Sequence, residues 1–181
     1  VYQVLDDRCL YKKSDKNKSV FDILHVAPRD IRHIEIPSFV TLISFYAFYQ
    51  CNKLESISFD SDSSLEIVFD LAFAYSTLQK KVVIPESVKD LRNGCFSEIL
   101  TVESFEFRAK SIKFDDFVFK NCRNLNFILF PNATEIICNE NSFEDIPTNA
   151  KILVRKDAHI SRAAKFYYKA KISYIENFID E

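Results

Sequence analysis

Large apolar residues recur along the chain with a period of 23 to 25 residues, and phenylalanine marks the period. The five repeat phenylalanines stand at Phe48, Phe73, Phe96, Phe119 and Phe143, at steps of 25, 23, 23 and 24 residues. In all five units the residues nine and eleven positions later are apolar. These residues are Ile57 and Phe59, Val82 and Ile84, Phe105 and Phe107, Ile128 and Phe130, and Ile152 and Val154. Such regularity is typical of repeat proteins, in which each unit buries its apolar face only by stacking on its neighbours.

The paired apolar positions predict short strands. In Phe105-Glu106-Phe107 an apolar, a polar and an apolar residue alternate, which is the period of a strand with one buried face. One further copy, Ile34 and Ile36, precedes the first unit by 23 residues. Four copies have another apolar residue three positions upstream, which gives the strand spacing of a leucine-rich repeat. These upstream residues are Ile31, Leu54, Val102 and Leu125.

A specific family resemblance follows from the first full unit, residues 36–57. It reads Ile-Pro-x-x-Val-x-x-Ile-x-x-x-Ala-Phe-x-x-Cys-x-x-Leu-x-x-Ile and resembles the BspA-like, or Treponema pallidum-type, leucine-rich repeat. Cys122 and Leu125 recover two of these positions in a later unit, whereas Ser76 and Ile99 replace the usual Cys. The resemblance covers about residues 31–157. It implies an α/β leucine-rich-repeat solenoid with a curved parallel sheet of about six short strands on one face.

The two ends of the chain are expected to cap the stack. We predict one domain over residues 1–181, with an N-terminal cap at 1–30, repeats at 31–157 and a C-terminal cap at 158–181. Residues 1–11 alternate around Asp6-Asp7 like a hairpin, and residues 20–27 read as a degenerate first unit. Near the other end, Asp157 is placed to cap a helix, and residues 172–175 predict a last strand. The apolar spacing of that helix runs through Ile160, Ala163, Ala164 and Tyr167.

Composition excludes several common chemistries. Gly94 is the only glycine, whereas a dinucleotide fingerprint, a phosphate-binding P-loop and a Gly-flanked nucleophile elbow each need at least two. The five cysteines form no Cys-x-x-Cys pair and stand mostly in apolar repeat positions, which favours buried thiols. His25, His33 and His159 are scattered, without a titratable partner at a helical or strand spacing. We therefore expect no catalytic residues, no metal and no cofactor.

Charged segments point to solvated surface. The tract Asp60–Ser64 has the alternating acids of a calcium loop, but Leu65 and Leu71 stand where an EF-hand needs Gly and Glu. The paired acids Asp115-Asp116 predict an exposed turn. The lysines at 12, 13, 16 and 18 are interleaved with polar residues, which is typical of a loop rather than a phosphate site. With a net charge of −2, we expect no nucleic-acid partner, and no apolar stretch is long enough to insert in a membrane.

The outward-facing side of the predicted sheet is the candidate binding site. The strand residues between the buried positions all point to one face. The candidate ligand-binding residues on that face are Glu35, Ser58, Val83, Glu106, Phe127, Leu129 and Leu153. Apolar side chains beside Lys and Arg are typical of a protein-binding surface.

Two functional hypotheses remain open. The resemblance implies a surface or secreted protein of a bacterium or protist that binds a host cell or matrix protein. The alternative is an intracellular scaffold for the organism's own proteins, which unpaired buried cysteines would fit. An occupied glycan at Asn17-Lys18-Ser19 or Asn132-Ala133-Thr134 would distinguish the first from the second. No sequence feature supports an enzyme.

Overall fold

The computed structural model describes residues 2–5, 8–161 and 171–176. Regular structure in these ranges consists of short strands joined by turns, without a helix, so the α/β class is not supported. The strands are β1 (Tyr2–Val4), β2 (Leu10–Lys12), β3 (Ile23–Val26), β4 (His33–Ile36), β5 (Leu42–Ile43), β6 (Ser56–Phe59), β7 (Ile67–Val68), β8 (Lys81–Ile84), β9 (Asp90–Leu91), β10 (Ser104–Phe107), β11 (Ser111–Phe114), β12 (Phe127–Phe130), β13 (Glu135–Cys138), β14 (Lys151–Arg155), β15 (His159–Ile160) and β16 (Lys171–Ile175).

The strands form two layers along the repeat axis. The back sheet has nine strands in the order β1-β2-β3-β5-β7-β9-β11-β13-β15. The front sheet has a two-stranded part, β4-β6, and a five-stranded part, β8-β10-β12-β14-β16. Apart from the antiparallel pairs β1–β2 and β2–β3, neighbouring strands are parallel. Each repeat therefore gives one strand to each layer, and the chain winds as a solenoid.

Equivalent repeat positions lie side by side in the front sheet. Glu106 is opposite Val83 on β8 and Leu129 on β12, and Leu129 is opposite Leu153 on β14. The residues that flank these positions within each strand point inward and are buried, as the alternation predicts. The six strands expected on one face are all present, and within each part of the front sheet their equivalent positions are in register.

The side chain of Gln79 interrupts the front sheet between β6 and β8. The Ile57 N–H donates to Oε1 of Gln79 at 3.0 Å, and Nε2 of Gln79 donates to the Ile57 carbonyl at 2.7 Å. One side-chain amide thus serves a backbone donor and acceptor that a neighbouring strand would otherwise serve. We call this contact the Gln79 bridge.

Replacing Gln79 with Ala is expected to lower the free energy of unfolding by about 1–2 kcal/mol, because both hydrogen bonds to Ile57 are lost. Urea denaturation followed by circular dichroism measures the change. Gln3→Ala, at an exposed position of β1, is the matched control. Identical midpoints for wild type and Gln79→Ala would contradict a stabilising role for the bridge.

Each repeat returns from the back sheet to the front sheet through the turns that carry its phenylalanine. Over residues 46–51, alternate N–H groups close local turns, and those between them donate to carbonyls of the next repeat, as Phe48 does to Ala72 at 2.7 Å. A helix would use these N–H groups locally, so the ladder between repeats explains why turns form instead. In this ladder of hydrogen bonds between repeats, residues two positions before or after the phenylalanine have a positive φ. The residues with that conformation are Tyr46, Gln50, Leu71, Tyr75, Gly94, Glu98, Phe117, Asn121 and Asp145.

The repeat phenylalanines form a continuous stack through the core. Successive ring centroids from Phe48 to Phe143 are 4.6, 5.2, 6.4 and 5.6 Å apart, with planes within 26° of parallel. Phe107 of the front sheet meets Phe114 of the back sheet edge-to-face at 5.3 Å, so the two layers pack directly on each other. The predicted burial of one phenylalanine per unit is confirmed.

The N-terminal strands continue the back sheet. Strands β1 and β2 form the predicted antiparallel hairpin, with Gln3 opposite Tyr11, and the expected turn at residues 6–7 lies outside the described residues. The polar loop between β2 and β3 is fixed by Asp22, whose buried carboxylate accepts hydrogen bonds from the Ser14 N–H and Oγ, both at 2.7 Å. The Lys18 ammonium donates to the same carboxylate at 2.5 Å.

The helix predicted to start at Asp157 is not found in the described residues. His159 and Ile160 form β15 and pair with β13, and residues 162–170, including most of the predicted helix, lie outside the described residues. The carboxylate of Asp157 accepts hydrogen bonds from Nε and Nη2 of Arg155 at 2.9 and 3.0 Å instead of capping a helix. The predicted last strand is present as β16, which pairs with β14.

Candidate functional site

The seven candidate residues lie on the outer face of the front sheet. The central row of this face runs across successive strands in the order Glu35, Ser58, Val83, Glu106, Leu129 and Leu153. Phe127 lies in the adjacent row, opposite Ser104 and Lys151, and the residue is 40% exposed. Val83, Leu129 and Leu153 are half-buried, so each exposes part of its apolar side chain to solvent. The structure thus brings Val83, Glu106, Phe127, Leu129 and Leu153 together on neighbouring strands.

The Gln79 bridge separates the other two candidates from this group. Glu35 and Ser58 are exposed on β4 and β6, the two-stranded part of the front sheet, and β6 does not pair with β8. Neither strand carries an outward apolar residue in the central row. The face is therefore polar over β4 and β6 and apolar over β8 to β14.

Glu106 is the one carboxylate in the apolar part of the central row. Its carboxylate is 2.9 Å from Nζ of Lys81 and 3.0 Å from Nε of Arg108, and its side chain is 15% exposed. Burial favours the neutral form of this group, but the hydrogen bonds from Lys81 and Arg108 outweigh burial and hold the pKa of Glu106 below its usual range. A charged Glu106 therefore lies between its two cations.

An open groove of about 1720 Å³ adjoins the central row. It lies between the front-sheet residues Lys81 and Val83 and the polar insertion that follows β6, and it reaches Lys110 and Lys113. The insertion is ordered by Asp60, whose Oδ1 accepts from the Asp62 N–H at 3.1 Å. This hydrogen bond is the main reason that the pKa of Asp60 lies below its usual value. The Asp60 carboxylate thus helps to order the insertion.

Two features of this region were not foreseen. The bridging role of Gln79 depends on where its side chain meets β6, and no spacing in the sequence signals such a contact. Asp115, expected on an exposed turn, is buried, with its carboxylate 3.0 Å from Nζ of Lys113 and 3.5 Å from Nη1 of Arg92. Gln79 thus joins two strands of the front sheet, whereas Asp115 pairs with cations of the back sheet.

The cysteines do not form a reactive site. All five are buried. Burial raises the pKa of the Cys51 thiol, raises that of Cys122 to about 12 and raises that of Cys95 well above its usual range. The Cys122 thiol also donates to the Phe96 carbonyl at 3.0 Å. These thiols are core groups, as their repeat positions predict.

We therefore expect Cys51, Cys95 and Cys122 to be unreactive toward maleimide in the folded protein. Both burial and a low thiolate fraction oppose the reaction. Mass spectrometry after labelling with and without denaturant measures it, with labelling at these three positions expected only in denaturant. Rapid labelling of the native protein at any of the three would show that the core opens readily.

Comparison with protein families agrees with the repeat geometry. The family described as "BspA type Leucine rich repeat region" matches residues 27–150 in six copies. The chain belongs to the BspA-type leucine-rich repeat family. The solenoid, the stacked phenylalanines and the aligned front-sheet strands are thus the features of one repeat family along most of this chain.

A solved structure shares the BspA-type chain's fold at low sequence identity. A leucine-rich cell surface protein from Faecalibacterium prausnitzii is 16% identical with a TM-score of 0.57, over 88% of this chain and 48% of that one. The chain thus spans about half the length of that protein. A leucine-rich repeat protein from Bacteroides ovatus also matches, with 15% identity and a TM-score of 0.45, over 86% of this chain and 60% of that one. No curated protein matches the chain.

The described parts of this BspA-type chain hold neither a metal-ligand cluster nor a membrane-spanning helix. Residues 2–5, 8–161 and 171–176 contain no group of three or more side chains that could hold a metal ion. The same residues contain no helix of the length and apolar character needed to span a membrane. The sequon residues Asn17 and Asn132 are both exposed, and Nδ2 of Asn132 donates to the Arg108 carbonyl at 3.3 Å.

Proposed function

We propose that this BspA-type chain is a non-enzymatic protein-binding module that acts at the cell surface or after secretion. Its binding surface is the outer face of β8 to β14, and its partner is a host cell or matrix protein. The observation that carries the proposal is the cluster of outward apolar side chains on adjacent strands, Val83, Phe127, Leu129 and Leu153. A solvent-facing sheet normally carries polar residues at such positions, and apolar groups rimmed by charge mark interaction surfaces.

The surface location is supported by the family and by the fold neighbour described as a cell surface protein. The exposed sequon residues Asn17 and Asn132 are compatible with export. The alternative is an intracellular scaffold, and the buried thiols of Cys51, Cys95 and Cys122 are the observation that favours it. The two locations predict different outcomes in a cell-binding experiment.

The proposal predicts saturable binding of the labelled protein to intact epithelial cells. The double variant Val83→Glu/Leu129→Glu is expected to reduce that binding by about tenfold or more, since charges replace the apolar centre of the face. Flow cytometry measures the bound fraction, and circular dichroism confirms that the variant is folded.

The matched control is Val20→Glu/Leu100→Glu, which changes two exposed apolar residues away from the front-sheet face. It is expected to bind like wild type. An equal loss of cell binding in both double variants would show that the binding surface lies elsewhere. Absence of binding by the wild-type protein would favour the intracellular scaffold.

A further inference from the structure

We infer that the β8–β14 part of the outer face selects an acidic polypeptide segment that carries apolar side chains. The inference rests on the proposed function and adds the chemistry of the partner. It starts from the unequal charge on the two sides of the Gln79 bridge.

The apolar row sets the first requirement. Leu129 and Leu153 are directly opposite each other on adjacent strands, about 5 Å apart, and Phe127 is exposed beside them. Covering these groups releases water only if the partner brings apolar side chains of its own. A polyanion without apolar groups, such as a nucleic acid backbone or a sulfated glycan, would leave the row uncovered.

The cations around the row set the second requirement. The outward positions of β8 to β14 and the residues that directly follow β8, β10 and β12 include four cations and one carboxylate, Glu106. The cations are Lys81, Arg108, Lys151 and Arg155. Lys81 and Arg108 share Glu106, and Arg155 pairs with Asp157. Lys151 is exposed and has no ion pair among the described residues, so the apolar row has a net positive rim.

The surface across the Gln79 bridge has the opposite charge. The equivalent positions on β4 and β6 carry Glu35 and, directly after β6, Asp60, without Lys or Arg. Glu55, just before β6, adds a further carboxylate, although it is paired with Arg32. An acidic segment is therefore attracted to β8–β14 and repelled by β4–β6, which fixes where along the solenoid it lies.

The test uses three labelled peptides of equal length and fluorescence anisotropy at low and high salt. The first has Leu or Phe at every third or fourth position among Glu and Asp, the second has Lys in place of the acids, and the third is oligoglutamate. We expect the full chain to bind the first peptide best, with affinity that falls as salt rises. Lys151→Glu is expected to weaken that binding about fivefold, and the control Lys53→Glu, an exposed lysine off the face, to leave it unchanged.

Several results would overturn the inference. Equal affinity for the acidic and basic amphipathic peptides would remove the charge selection, and equal affinity for oligoglutamate would remove the apolar requirement. Equal effects of Lys151→Glu and Lys53→Glu would place the binding elsewhere. If the peptides fail while cell binding still depends on Val83 and Leu129, the inference about the partner is wrong and the proposed function stands. If cell binding is indifferent to Val83 and Leu129, the proposed function fails first.

Discussion

Phe119→Ala is expected to cost about 3–5 kcal/mol of unfolding free energy, a large part of what a domain of this size possesses. The side chain is fully buried and lies within the phenylalanine stack. Its ring meets five other phenylalanine rings with centroids 5.1 to 6.4 Å away. These are Phe96, Phe105, Phe107, Phe114 and Phe143. Truncation leaves a cavity that both layers border, so the surrounding repeats lose contacts together.

Guanidinium denaturation followed by circular dichroism measures this loss. The matched control is Phe127→Ala, which removes the same atoms from an exposed position on the front sheet. We expect the control to cost less than about 1 kcal/mol. Similar costs for the two variants would show that the stack does not dominate the stability of the solenoid.

Asp22→Asn is expected to cost about 2–4 kcal/mol near neutral pH, because a buried carboxylate loses its charge-assisted hydrogen bonds. Burial alone would raise the pKa of Asp22, but hydrogen bonds from Lys18 and Ser14 outweigh it and hold the pKa far below the ordinary value. Because the folded-state pKa is lowered, this stabilisation is fully present above the unfolded-state pKa of about 3.9. It is lost progressively as the pH falls below about 4.

Denaturation of wild type and Asp22→Asn at about pH 7 and pH 3 tests this dependence. The stability gap between the two proteins is expected to narrow at the lower pH. Asp15→Asn, an exposed acid in the same loop, is the control. If the difference in unfolding free energy between the two proteins is the same at both pH values, the charge of the Asp22 carboxylate does not stabilise the loop.

The front sheet could be predicted from sequence because its signal is strong and regular. Ile57 and Phe59 and their equivalents stand nine and eleven positions after each repeat phenylalanine, and a shift of one residue would turn every buried side chain outward. The same register places Val83, Glu106, Leu129 and Leu153 in one row. Which of these residues contact a ligand stays a prediction, since a register fixes positions and not partners.

The back sheet has a weaker signal, although one exists. Several of its strands are two residues long, with a single inward side chain, too short for an alternation to show. The missed regularity is an apolar residue five positions before each repeat phenylalanine. These residues are Ile43, Val68, Leu91, Phe114 and Cys138.

The predicted start of a helix at Asp157 is not observed, for a physical reason, and residues 162–170 of that prediction lie outside the described residues. Ile160 has a helical spacing to later apolar residues, but it also lies where β15 extends the back sheet, and there the backbone hydrogen bonds of the neighbouring repeat are available. In a solenoid such long-range pairing outweighs local propensity. The break at Gln79 could not be predicted either, since it depends on one side chain meeting the backbone of a residue 22 positions away.

The Gln79 bridge also bears on how the solenoid unfolds. In a linear array of repeats, cooperativity depends on the coupling between nearest neighbours. At the boundary of β6 and β8 the front-sheet ladder is replaced by one amide. Coupling there rests on the pairing of β5 with β7, on the turn hydrogen bonds such as that from Phe48 to Ala72, and on the stack of Phe48 with Phe73. The chain therefore consists of two more strongly coupled blocks joined at a weaker boundary. Partial opening of the native state should begin there, with the two blocks exchanging amide hydrogens at different rates.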